Sequence, residues 1–145
     1  MSTTDEAKKT ILVVDDEPDV VSYLEMVLQD AGYHTVTAAN GREGMTLVRR
    51  ERPDLVVLDI SMPEASGTRL YKELKTDPDL GATPVVIVTA VTGYAGDPHG
   101  YEKFLGGRKL VPPPEGFFPK PIDPERFVQV VRALLAGEVK TPVGK

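Results

Sequence analysis

Six side chains in this sequence stand where chemistry could be done: Asp15, Asp16, Glu17, Asp59, Thr89 and Lys120. The three acids follow the apolar run Ile11-Leu12-Val13-Val14. Asp59 follows Leu55-Val56-Val57-Leu58, Thr89 follows Val85-Val86-Ile87-Val88, and Lys120 follows Phe117-Phe118-Pro119. Singly, each has an ordinary explanation. Acids after a strand cap the next helix or face water, Asp59 ahead of Pro63 suits a turn, threonine is at home in a strand, and lysine is normally solvated. Together they do not. Carboxylates gathered at one place repel by ~4 kcal/mol per pair at about 4 Å and an effective dielectric of about 20. A divalent cation and Lys120 would offset that repulsion. An all-oxygen donor set of few protein ligands favours a hard ion that keeps its waters, Mg²⁺ or alternatively Mn²⁺. An Asp beside such an ion, a lysine and a threonine hydroxyl can take a phosphoryl group onto its carboxylate.

The elements that must hold these residues follow from hydrophobic patterning. The runs at 11–14, 55–58 and 85–88 are too short for buried helices and rich in β-branched residues, which predicts strands buried on both faces. His34 to Ala38 alternates weakly and Phe117-Phe118 opens a last short strand. Pro18 suits the first turn of a helix bearing Val20, Leu24, Val27, Leu28 and Ala31, ended by Gly32. Asn40 and Glu43 read as a cap and capping-box pair for a helix running to about Arg50, with Met45, Leu47 and Val48 among its apolar positions. Ser66 can cap a helix with Leu70, Tyr71 and Leu74. Asp123-Pro124 opens a final helix with Phe127, Val128, Val131, Leu134 and Leu135. Short apolar strands alternating with amphipathic helices predict an α/β domain, a parallel sheet covered on both faces. Ligands of such sheets bind beyond the carboxyl ends of the strands, and right-handed crossovers bring those ends to one edge. All six residues stand there.

Composition removes other classes of function. The 145 residues fit one domain, with residues 1–9 as a disordered polar lead, 10–137 as the domain and 138–145 as a flexible tail. The chain has no cysteine, which excludes disulfides, thiolate metal sites and a cysteine nucleophile. His34 and His99 are the only imidazoles, so a histidine metal site or a Ser-His-Asp triad is not expected. Both read as solvated or strand-surface residues. A net charge of -5 lacks the basic stripe of a nucleic-acid surface. No apolar run approaches the ~18 residues of a membrane span, and the polar N-terminus lacks a signal-peptide core. The expectation is a cytoplasmic domain without membrane or direct nucleic-acid contact.

In order along the chain, ILVVDDEPD, LVVLDISMPEASG, VVIVTA and FFPKPID resemble the receiver domain of two-component response regulators, over Thr10 to about Leu135. The resemblance implies a flavodoxin-like (βα)5 doubly wound parallel sheet of strand order 2-1-3-4-5. It implies Asp59 as phosphoacceptor and an Mg²⁺ site in which Asp16 and Asp59 bind directly, Asp15 through water and Ser61 by its backbone carbonyl. It implies Thr89 and Phe117 as switch residues and Lys120 as the partner of the phosphoryl group. The implied phosphodonor is a sensor histidine kinase or a histidine phosphotransfer protein. Such a domain is not an enzyme on other substrates; it catalyses only its own phosphorylation and dephosphorylation. With no output domain after the last helix, the signal is expected to pass to a separate downstream protein or onward in a relay; the ending fits a piece of a longer chain equally well, and homodimer formation is left open. Ser61 and Val91, poorly suited to orient water, imply a persistent phosphoaspartate.

One stretch departs from the family. Residues 90–116 are longer than usual there, and Gly106-Gly107 and Pro112-Pro113-Pro114 cut them into pieces too short for stable helix. A Gly/Pro-rich loop is expected in place of the fourth helix, with at most one turn near Glu102–Leu105. It is a candidate partner-recognition surface, with Tyr94 and Tyr101 packing inside it. Three rival readings compete. A haloacid-dehalogenase-like phosphotransferase needs a second Asp two residues after the nucleophile, where Ser61 stands. A flavin or nucleotide binder needs a phosphate-cradling loop where Asp15-Asp16-Glu17 stand. A non-phosphorylated pseudo-receiver would not need Asp16, Asp59, Thr89 and Lys120 intact.

Overall fold

The structure, a computed structural model, describes residues 8–59, 66–89 and 115–137. The expectations for Ser61, Val91, Tyr94, His99, Tyr101, the loop of residues 90–114 and both chain ends beyond 8–137 lie outside those residues, as does the Thr89 hydroxyl. Five strands form one sheet: β1 (Thr10–Val14), β2 (His34–Ala38), β3 (Leu55–Leu58), β4 (Val85–Thr89) and β5 (Gly116–Pro119). Their order is β2-β1-β3-β4-β5 and every pairing is parallel. Four helices are described: α1 (Pro18–Asp30), α2 (Gly41–Glu51), α3 (Ser66–Thr76) and α4 (Pro124–Leu135). The (βα) alternation and the 2-1-3-4-5 order are as expected.

The continuous apolar runs follow from a sheet with two covered faces. Successive strand residues point to opposite sides. Leu12, Val14, Val56, Leu58, Val85 and Ile87 pack with Val48, Leu70, Tyr71 and Leu74 of α2 and α3, and Phe117 lies half-buried against this layer. Ile11, Val13, Leu55, Val57, Val86, Val88 and Phe118 pack with Leu24 and Leu28 of α1 and Phe127, Val131 and Leu134 of α4. Phe118 meets Phe127 edge-on, with centroids 5.5 Å apart. Edge strand β2 buries only Ala38, which explains its weak pattern, and His34 on it is exposed. On α2, Gly44 is a contact residue. A Cβ there would stand 2.8 Å from Leu70 Cδ2, so its absence lets α2 close on α3.

The helix ends carry their predicted signals with small shifts. Asn40 accepts a hydrogen bond from the Glu43 N–H at 2.9 Å. The Glu43 carboxylate reaches back to the Ala39 N–H, one residue beyond the usual capping box. Ser66, expected as a cap, is the first residue of α3. Asp123 caps α4, accepting from the N–H groups of Glu125 and Arg126. Asp123→Ala is expected to cost about 1 kcal/mol and to lower the thermal midpoint by a few degrees in a calorimetric scan.

A pairing that sequence patterning does not show sits at the amino edge of the sheet. Lys75 of α3 is buried, and its ammonium lies 2.8 Å from both carboxylate oxygens of Glu115 and 3.3 Å from the Thr83 carbonyl oxygen. Glu115 Oε1 also accepts from the Val85 N–H at 2.8 Å, while the Glu115 N–H donates to the Val85 carbonyl.

Candidate functional site

At the opposite, carboxyl edge the backbone itself places two carboxylates. The Asp15 N–H donates to Ala38 O at 3.1 Å and the Asp59 N–H to Val14 O at 3.0 Å, so each ladder continues one residue past its strand. Asp15 and Asp59 are thereby held side by side, 2% and 3% exposed. Asp16, next along the chain, is exposed and makes no hydrogen bond or ion pair among the described residues. One oxygen from each of Asp15, Asp16 and Asp59 lies within 4.8 Å of the others.

Lys120, carried by the turn after β5, points into this cluster. Its Nζ lies 3.0 Å from Asp15 Oδ2, 3.1 Å from Glu17 Oε1 and 3.5 Å from Asp59 Oδ2. The sequence placed the lysine here; the structure shows that its shorter contacts are to Asp15 and Glu17. Glu17 was legible only as one more acid at the strand end. It occupies the N-cap position of α1 yet makes no side-chain capping bond. The Glu17 backbone N–H donates to Asp15 Oδ1 at 2.9 Å. The ordinary explanation, acids that merely cap the helix, does not describe this arrangement.

The electrostatics follow from the burial. Desolvation holds the Asp15 carboxyl above its usual range, with Asp59's charge pushing the same way; the Glu17 N–H and Lys120 pull it back. For Lys120 burial alone would lower the ammonium's pKa. The hydrogen bond to Asp15 and the charges of Asp59 and Asp15 outweigh it, and the pKa stands above the ordinary lysine value. Among the described residues, the carboxyl groups of Asp15, Glu17 and Asp59 surround the Lys120 ammonium, with Asp16 beside them. The donor set is all oxygen and incompletely neutralised, and it fits a hard divalent cation. Phe117 and Phe118 alternate across β5, Phe117 towards the α2–α3 layer and Phe118 towards α1 and α4.

Beside the cluster runs an apolar groove of about 400 Å³, with Val20, Tyr23 and Leu24 of α1 on one side and Lys120, Pro121 and Ile122 on the other. Tyr23 is partly exposed in it, and Met26 is exposed farther along α1. Sequence periodicity gave α1 its buried face but not this groove, because Pro121 and Ile122 reach it only through the fold.

Among the described residues no helix is long and apolar enough to cross a membrane. The sequence profile of the response regulator receiver domain matches residues 11–132. Protein Rrf1 of Nitratidesulfovibrio vulgaris is 35% identical over 130 residues, spanning 90% of this chain and 85% of that protein. Protein PilH of Pseudomonas aeruginosa is 34% identical, spanning 88% of this chain and 98% of its own length. The solved signal receiver domain of a signal transduction histidine kinase from Syntrophus aciditrophicus superposes with a TM-score of 0.75 at 32% identity, covering 93% of this chain and 96% of that one. Strand order, the edge on which the carboxylates stand and the profile match agree: the chain belongs to the response regulator receiver domain family of two-component signalling.

Proposed function

We propose that residues 10–137 form a phosphorelay receiver that takes a phosphoryl group onto Asp59 from a sensor histidine kinase or a histidine phosphotransfer protein. The observation that carries this reading is the buried Asp59 carboxylate, with the Lys120 ammonium 3.5 Å from Oδ2 and carboxylates of Asp15 and Asp16 beside it. An Asp59 oxygen attacks phosphorus in line with the leaving group. A P–O bond forms to Asp59 and the P–N bond of the phosphohistidine breaks. The electron pair stays on the imidazole nitrogen, which takes up a proton from solvent. With a small acyl phosphate, a P–O bond breaks instead and the carboxylate leaves.

The residues present fit Mg²⁺ or Mn²⁺, which when bound neutralises charge on the phosphoryl oxygens. Asp16 and Asp59 would hold it, with the Ser61 carbonyl. Asp15, whose oxygens already accept from Glu17 N–H and Lys120, would act through water. Lys120 turns its ammonium to the transferred group, so the protein's share of the work is positioning and electrostatic stabilisation. The new anion then draws the Thr89 hydroxyl, and Phe117 turns into the space vacated. This biases a two-state surface read by a downstream partner in the cytoplasm. The groove between α1 and Pro121-Ile122 opens beside Lys120, so a donor helix seated there would present its phosphohistidine to Asp59.

The test is incubation with Mg²⁺ and a small acyl phosphate, followed by intact-mass and peptide-level mass spectrometry. The expected result is one added phosphoryl group, on Asp59, lost in excess chelator. Asp16→Ala is expected to raise the Mg²⁺ concentration for half-maximal labelling more than Asp15→Ala does. Labelling elsewhere, or equal labelling in chelator, overturns the reading.

A further inference from the structure

We propose that Glu17 is a restraining counter-ion that draws Lys120 away from Asp59 and slows phosphorylation; the proposal rests on the reading of Asp59 as phosphoacceptor. A lysine ammonium has three N–H donors and no acceptor. Here three carboxylates claim it, and Asp59 has the longest contact, 3.5 Å against 3.0 Å for Asp15 and 3.1 Å for Glu17. Asp15 is fixed by burial and by the Glu17 N–H, so its claim is permanent. Glu17 differs, because its side chain is 61% exposed and reaches Lys120 from the solvent side. It could instead face water, as an exposed glutamate normally does, and it does not cap α1, the helix whose N-cap position it occupies. Its carboxylate is spent on Lys120.

During transfer, Lys120 must move its donors towards oxygens on the Asp59 side of the cluster. Glu17 pulls the other way before transfer and competes for the ammonium afterwards. It touches neither the reacting atoms nor the donor, so it acts through Lys120, as a positioning residue. Because it is exposed, the restraint has the modest size of a solvated ion pair. That corresponds to about a two- to fivefold change in rate.

The experiment compares Glu17→Ala and Glu17→Asp with the wild type, labelled by a small acyl phosphate at saturating Mg²⁺ over a range of donor concentration. Glu17→Asp keeps the charge but shortens the reach by one methylene. The expected result is that both variants raise the maximal rate constant of Asp59 labelling about two- to fivefold and leave the donor concentration for half-maximal rate unchanged. If Glu17→Asp matches the wild type while Glu17→Ala is faster, or if only the half-saturating donor concentration falls, the effect is general charge repulsion and the proposal is overturned. Unchanged or slower labelling in both variants overturns it too. A wild type that labels nowhere, or elsewhere than Asp59, removes the reading beneath it.

Discussion

Asp59→Asn is expected to take up no acid-labile phosphate, whatever the phosphodonor. The substitution keeps the shape and keeps the backbone N–H bonded to Val14 O, so β3 still ends where it does. What it removes is the nucleophile: an amide oxygen carries no full charge, and the amide nitrogen's lone pair is delocalised. No neighbour can stand in. Asp15 is committed to Lys120 and the Glu17 N–H, and Asp16 lies exposed on the outer side of the cluster. The loss should therefore be complete within detection, read as an unchanged intact mass after incubation with Mg²⁺ and donor. The fold should not suffer. Asp59's charge pushes the Asp15 carboxyl upward but also favours the Lys120 ammonium, so neutralising it removes a repulsion and an attraction together, and the thermal midpoint should stay near that of the wild type. Wild-type labelling of Asp59→Asn would end the assignment.

The second large effect lies at the other edge of the sheet. Glu115→Ala is expected to cost about 3 kcal/mol, because it strands the buried Lys75 ammonium. Both oxygens of Glu115 lie 2.8 Å from Lys75 Nζ, and the Lys75 side chain is only 2% exposed. The Val85 N–H loses its acceptor in the same step. The Thr83 carbonyl remains near the ammonium, and Glu115 itself is a third exposed, which keeps the cost at the low end of the range for broken buried pairs. The thermal midpoint should fall by roughly 10 °C. Lys75→Met combined with Glu115→Gln removes both charges and keeps an acceptor for Val85. That pair should recover most of the loss in a denaturant titration, since a buried ion pair replaced as a whole is often close to neutral. A double variant as unstable as Glu115→Ala would refute the account.

The two pairings also mark the limit of what the sequence discloses. Strands such as Val85–Thr89 are legible because burial on both faces leaves no alternation to misread, and helix ends are legible where a short polar side chain such as Asn40 or Asp123 meets an apolar period. The cluster of Asp15, Asp16, Asp59 and Lys120 is legible because all four follow predicted strands, and strand ends share an edge by topology. Glu17 at Lys120, Glu115 at Lys75 and Gly44 against Leu70 are of another kind. Each joins residues far apart in the chain. Sequence alone describes a charged residue by its neighbours, and by that rule Lys75 belongs on a solvated helix face. Only the packing of α3 against the sheet turns its ammonium inward. The candidate site was therefore readable as a set of residue types, but the sharing of Lys120 among three acids was not.

Strand β5 closes one side of the sheet, and open sheet borders are where another chain can add itself by backbone pairing. This border gives such a chain little to copy. It is four residues long, ends in Pro119 and is followed by Pro121, neither of which has an N–H to offer. It is also moored at both ends, through Glu115 to Lys75 and Val85 and through Lys120 to Asp15. Peeling it away would expose two sets of paired charges at once. The same two moorings that shape the site and the core thus make β5 a poor template for fibrils and for exchange of strands between copies.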